Sequence, residues 1–113
     1  MGKRKSRIIK QDGGVNSKQR QQLASAIRQV WSWSHARKIC IARATDDEGF
    51  GRCEICKKKV PRLFADHIEA CGDLLEEGYL SRMFRPSTAL QALCKKCHDA
   101  KTRMERKRNA EGF

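Results

Sequence analysis

Two cysteine pairs constrain this chain more than any other feature. Cys53 and Cys56 form one Cys-x-x-Cys motif, Cys94 and Cys97 form a second, and 37 residues lie between them. Each pair can make a tight knuckle with both sulfurs pointing the same way, and two knuckles close a tetrahedral zinc site. Lys57, Lys58, Lys59, Lys95 and Lys96 adjoin the pairs and favour the thiolate forms electrostatically. The competing readings are two disulfides, which need an oxidising compartment, and unrelated free thiols. The N-terminal MGKRKSRIIKQ is basic but has no apolar stretch behind it, which argues against secretion and for a reducing cytoplasm. Four thiolates leave zinc no open position, so its expected role is structural: joining two distant segments.

That role suits the composition. The chain has 113 residues, 39% apolar and 6% aromatic, enough for one small domain whose core needs a staple. The formal charge is +12. Residues 1–43 hold 11 basic side chains against one acid, residues 44–93 seven against nine, and residues 94–113 seven against three. Cationic ends of this size suit a polyanion, because each Lys or Arg on a phosphate releases condensed counterions. No apolar run reaches transmembrane length, so a membrane partner is not expected.

Along the chain, residues 1–15 read as a basic disordered arm carrying Lys3, Arg4, Lys5 and Arg7. Residues 16–50 read as a helical lead-in. Asn16 or Ser17 can cap a helix, with Gln19 placed for a capping box, and Leu23, Ile27, Val30 and Trp31 fall on one helical stripe. Ser34 can cap a second helix running to about Ala44. Both helices, with Trp31 and Trp33, are expected to pack on the remainder of the domain. Residues 46–51, DDEGFG, form a turn-rich link to the zinc domain at 51–110. Cys40 reads as a small apolar residue inside the second helix, and Cys71 as a loop residue without assigned role.

The knuckles bracket a second group. Leu63–Ile68 reads as a short strand bearing Asp66 and His67, and His98 opens a basic helix running to about Ala110. A carboxylate and an imidazole can hold a divalent metal while another imidazole serves as general base, an inventory sufficient for hydrolysing a phosphodiester. Adjacent strand residues point to opposite faces, so Asp66 and His67 can serve one phosphate only where the strand bends or ends.

In Cys53-x-x-Cys56, then ADHIEACGDL, then LQALCKKCHDAKT, the chain resembles the HNH (ββα-metal) endonucleases, closest to small bacteriophage-encoded members with a basic helical lead-in. The resemblance spans roughly residues 22–107. It implies a small α+β, zinc-stapled, treble-clef-like ββα-metal domain that cleaves DNA. It implies His67 as general base and Asp66 and His98 as ligands of a catalytic divalent metal, Mg2+ or Mn2+, with Ni2+ or Zn2+ as alternatives. Cys53, Cys56, Cys94 and Cys97 would hold the structural zinc.

One position departs from the pattern: Ala89 stands where the family commonly has the Asn that orients the base. Ser87, Thr88 or backbone groups are the substitutes at hand. The strip Lys101, Arg103, Arg106, Lys107 and Arg108 would track phosphates beside such a site, and Lys101 or a nearby Arg would add charge stabilisation. Glu105 is a spare ligand candidate. The expected partner is DNA, with no small-molecule substrate and the number of copies left open. Two rival classes are a DNA- or RNA-binding zinc module with a decayed site and a phage accessory interaction protein. If the basic arm meets phosphates, deleting residues 1–10 lowers DNA affinity and flattens its logarithmic salt dependence. An unchanged slope in a salt titration counts against the arm.

Overall fold

The computed structural model describes residues 13–110, so Lys3, Arg4, Lys5 and Arg7 of the expected arm lie outside the described residues. Helix α1, Ser17–Ser32, starts at a capping box: Asn16 Oδ1 accepts from the Gln19 amide at 2.8 Å, and Gln19 Oε1 accepts from the Asn16 amide at 3.0 Å. After the break at Trp33, Ser34 caps α2, His35–Arg43, its Oγ accepting from the Arg37 amide. Strands β1, Gly51–Arg52, and β2, Lys59–Val60, form a minimal antiparallel hairpin with the first cysteine pair in its turn. Strand β3, Phe64–His67, pairs antiparallel with β4, Leu90–Leu93, in the register Phe64 to Leu93 and His67 to Leu90. The connection carries α3, Tyr79–Met83, and a 3-10 turn, Ser87–Ala89. Helix α4, Lys95–Ala110, follows β4 directly and packs back on the β3–β4 hairpin. The result is a small α+β architecture. No helix among the described residues is long and apolar enough to cross a membrane.

The core is thin. Cys40, Leu63, Leu90 and Ala92 form one buried cluster, and Cys53, Leu93 and Cys94 form another around the cysteine motifs. Gly51 is required here, because a Cβ at that position would collide with the Leu63 side chain. Cys40 is fully buried, as its place in α2 suggested.

The two lead-in helices differ. Helix α2 shares the core with β3 and β4, as expected of it. Helix α1 does not pack along its apolar stripe: Leu23 and Val30 are exposed, and no residue of the helix is buried. Trp31 alone on that stripe reaches the core cluster, while Trp33 is 63% exposed. Ala36, Cys40, Ile41 and Ala44 of α2 and its cap pack on the core cluster or belong to it, whereas α1 reaches it through Trp31.

One ion pair fastens α2 to both hairpins. Arg43 donates from Nε and Nη2 to the two oxygens of Glu54 at 2.9 and 3.0 Å. Its remaining N–H groups reach the Ser87 and Leu90 carbonyls at 2.8 and 2.6 Å. Glu54, lying between Cys53 and Cys56, also accepts from the Ala92 amide at 2.8 Å. The Arg43 guanidinium, helped by that amide against the cost of burial, holds the Glu54 carboxyl below its usual range. Partial exposure screens the pair, yet two backbone carbonyls, of Ser87 and Leu90, lose a partner without Arg43. Arg43→Ala is therefore expected to lower the unfolding free energy of zinc-loaded protein by about 1–2 kcal/mol in a denaturant titration. Because Glu54 is depressed in the folded state, its contribution is full above the ordinary carboxylate range. It disappears as pH falls, so the stability gap between wild type and Glu54→Gln closes below about pH 4.5.

Candidate metal centre and adjoining cleft

The four paired cysteines converge. Cys53, Cys56, Cys94 and Cys97 offer sulfur atoms that all lie within 4.8 Å of one another, with Cys56 Sγ 3.8 Å from Cys94 Sγ. A tetrahedral zinc–thiolate centre spaces its sulfurs by about 3.8 Å, so the donor set fits zinc. Local backbone makes the knuckles. The Cys53 amide donates to the Lys58 carbonyl, the Lys57 amide donates to the Cys53 carbonyl, and Lys57 takes the left-handed conformation, φ 67°, to close the turn. At the other pair, the start of α4 supplies the bend, and the Cys97 amide donates to Cys94 Sγ at 3.5 Å.

The sulfurs differ electrostatically. Burial pushes the Cys53 thiol up, but amides of Cys94, Cys56 and Ile55 directed at its sulfur outweigh this and bring it down to about 6. Desolvation and the three neighbouring thiols push Cys97 up to about 12. Assembling four thiolates therefore needs a cation at their centre. Among the described residues, no other group of three or more His, Cys, Asp or Glu donors lies close enough to hold a metal.

Beside this centre, across the seam between β3 and α4, opens a cleft of about 670 Å³. Asp66 and His67 both line it, because β3 ends at His67 and the alternation of faces stops there. His67 Nε2 lies 2.8 Å from the Met83 carbonyl. A carbonyl only accepts, so Nε2 is the nitrogen that donates, and Nδ1 is the one left to accept in the neutral tautomer. The His67 ring also rests against Trp31, centroids 4.8 Å apart at 33°. A backbone carbonyl and an indole thus fix the ring, and Ala89 contributes no side-chain hydrogen bond to it.

Asp66 Oδ2 meets the Lys101 ammonium at 2.9 Å and Gln91 Nε2 at 3.4 Å. Lys101 also meets Glu105 Oε2 at 2.9 Å. Burial alone would lower Lys101, but the Glu105 and Asp66 carboxylates reverse that and raise it, so it stays an ammonium. Lys101 is therefore held between two carboxylates rather than presented to solvent, as the phosphate-tracking strip assumed. Arg103, Arg106, Lys107 and Arg108 do lie exposed on α4, and Arg108 borders the cleft.

His98 sits in the first turn of α4, its ring stacked on Phe64 with centroids 5.5 Å apart. It is not among the residues lining the cleft. No hydrogen bond or ion pair joins Asp66 to His98, whose Nδ1 lies 3.7 Å from Asp99 Oδ1. Met83, Trp31 and the Arg43–Glu54 pair escaped the sequence reading. No local spacing signals these contacts, whereas the Lys101–Glu105 pair does have the four-residue helical spacing that announces one.

Comparison with known proteins returns no matching family model, no matching curated relative and no matching solved structure.

One zinc per chain is expected by elemental analysis. Cys94→Ser should lose it along with the cooperative unfolding transition. Because binding must strip the proton from Cys97, zinc affinity in a chelator competition falls as pH falls.

Proposed function

We propose that this chain is a metal-dependent DNA endonuclease of the HNH type, built on a zinc-stapled ββα unit of β3, β4 and α4. The observation that carries the reading is His67. It stands at the end of β3, in a cleft it shares with Asp66, with Nε2 committed to the Met83 carbonyl and Nδ1 left as the basic nitrogen. This is the arrangement a general base needs: the ring is held by one nitrogen and the other takes the proton. The missing Asn at position 89 is no obstacle on this view, since Met83 performs the orienting.

His67 Nδ1 would take a proton from water as its oxygen attacks phosphorus and the 3′ oxygen departs. A divalent cation on Asp66 and His98 would supply charge neutralisation at the scissile phosphate. Lys101 and Arg108 supply the cations of the cleft itself, beside the carboxylates of Asp66, Asp73, Glu76 and Glu105.

A second reading, a nucleic-acid-binding zinc module, is favoured by one contact. The Asp66–Lys101 pair occupies the carboxylate that a catalytic cation would require. Nicking of supercoiled plasmid across a series of divalent metals separates the two. The endonuclease reading expects cleavage only with added metal. His67→Ala should then cost about 100- to 10,000-fold in rate while zinc content and DNA binding persist. Asp66→Ala and His98→Ala should lose activity that higher metal concentration partly restores. Unimpaired cleavage by His67→Ala removes the assigned base. A wild type that binds DNA yet never cleaves it supports the module.

A further inference from the structure

The cleft cannot hold a nucleic acid by its own charge, because its four carboxylates outnumber Lys101 and Arg108. A second groove, of about 700 Å³, lies on the other side of Phe64 and against the cysteine knuckles. Its rim carries Lys58, Arg62, Lys95 and Lys96, its floor includes Val60 and Phe64, and no Asp or Glu lines it. Lys95 is matched by Asp99 at 2.7 Å, whereas Lys58, Arg62 and Lys96 have no acidic partner among the described residues. All three are exposed.

The charge survives the metal centre. Residues 51–62 and 94–99 hold seven basic side chains against two acidic ones. A zinc ion with four thiolates carries about −2, which leaves this face positive. The floor adds a second kind of recognition. The Arg62 guanidinium lies over the Phe64 ring, 5.2 Å from its centre, and Phe64 also stacks with His98. An exposed guanidinium over an aromatic ring offers a flat, cationic platform of the type on which unpaired bases stack.

We infer that this groove binds single-stranded DNA, with phosphates on Lys58, Arg62 and Lys96 and a base on the Arg62–Phe64 platform. Phe64 and Asp66 lie two residues apart on β3, roughly 7 Å along the strand, so the bound strand runs directly into the cleft. The choice of DNA rests on the proposed function, but binding to the groove is read separately from cleavage. A flat apolar floor suits bases better than the side chains of an acidic peptide, and that peptide is the competing occupant in the test.

The experiment uses the full zinc-loaded chain, no added divalent metal, and fluorescence anisotropy of a labelled 12-nucleotide oligo-dT. The triple variant Lys58→Ala, Arg62→Ala, Lys96→Ala should bind at least tenfold more weakly. Its logarithmic salt slope should be shallower by about 2, the release expected for three phosphates of a single strand. Zinc content checks that the variant is folded. A control triple removing the same charge outside the groove, at exposed positions of α1, Lys18→Ala, Arg20→Ala, Arg28→Ala, should lose clearly less. Arg62→Lys keeps the charge and loses the plate, so it should weaken oligo-dT more than an abasic strand of equal length. Equal losses in the two triples overturn the groove as the site. Equal dependence on the groove for a 12-residue poly-glutamate peptide, or for a 12-base-pair duplex, overturns single-strand recognition. Loss of cleavage with intact groove binding touches only the proposed function.

Discussion

The convergence of four sulfurs holds two segments together that otherwise have little reason to meet. Closing a loop of 37 residues costs on the order of 3 kcal/mol in chain entropy. The buried core available to offset that cost includes only Leu63, Leu90, Leu93 and Met83 as large aliphatic or thioether side chains. A structural zinc ion on these four sulfurs would contribute on the order of 10 kcal/mol, an amount large enough to decide the balance. Everything downstream inherits its position from this clasp. Cys94 follows the last residue of β4 and precedes α4, so fixing it sets both the register of β3 on β4 and the direction in which α4 leaves. The Ala92 amide, two residues earlier, reaches into the first knuckle at Glu54. The Arg43 guanidinium then ties α2 to the same carboxylate, making an ionic clasp over the metal clasp.

That dependence explains which parts of the molecule were legible in the sequence. The knuckles, the caps at Asn16 and Ser34, the short strand at Asp66 and the long basic helix after Cys97 all rest on local rules of spacing and capping, and each stands where those rules put it. What failed is what depends on the supply of partners. The stripe Leu23, Ile27, Val30, Trp31 is a good helical pattern, but pattern says only that a face is apolar. Whether it is covered depends on what the rest of the chain offers, and here α2 packs on the core cluster whereas α1 reaches it through Trp31. Trp33, one residue beyond α1, followed the same fate.

The site was legible in residue type and less so in contact. Asp66 and His67 could be nominated from sequence because a short strand before a metal knuckle limits where they go. Their partners could not, since Met83 and Trp31 approach from elements 16 and 36 residues away in the chain. The orientation of His67 illustrates the point. An absent Asn at position 89 reads as a missing support, yet a ring nitrogen needs only an acceptor in the right place, and the end of α3 supplies the Met83 carbonyl. Backbone acceptors exist at every residue, so no side-chain pattern can announce which one is used.

The distribution of charge gives the last step. The chain carries +12, but its excess is not at the cleft, where carboxylates predominate. For a site that handles phosphates this division has a physical use under the proposed reading. Cations on α4 and on the knuckle face attract a polyanion from a distance and hold its backbone, and their pull weakens with salt. The carboxylates inside the cleft repel the same backbone until positive charge is brought to them. Lys101, gripped by Asp66 and Glu105, is the part of that neutralisation the chain itself provides. On that reading capture and chemistry lie on adjacent surfaces of opposite charge, with the stacked rings of Phe64 and His98 between them.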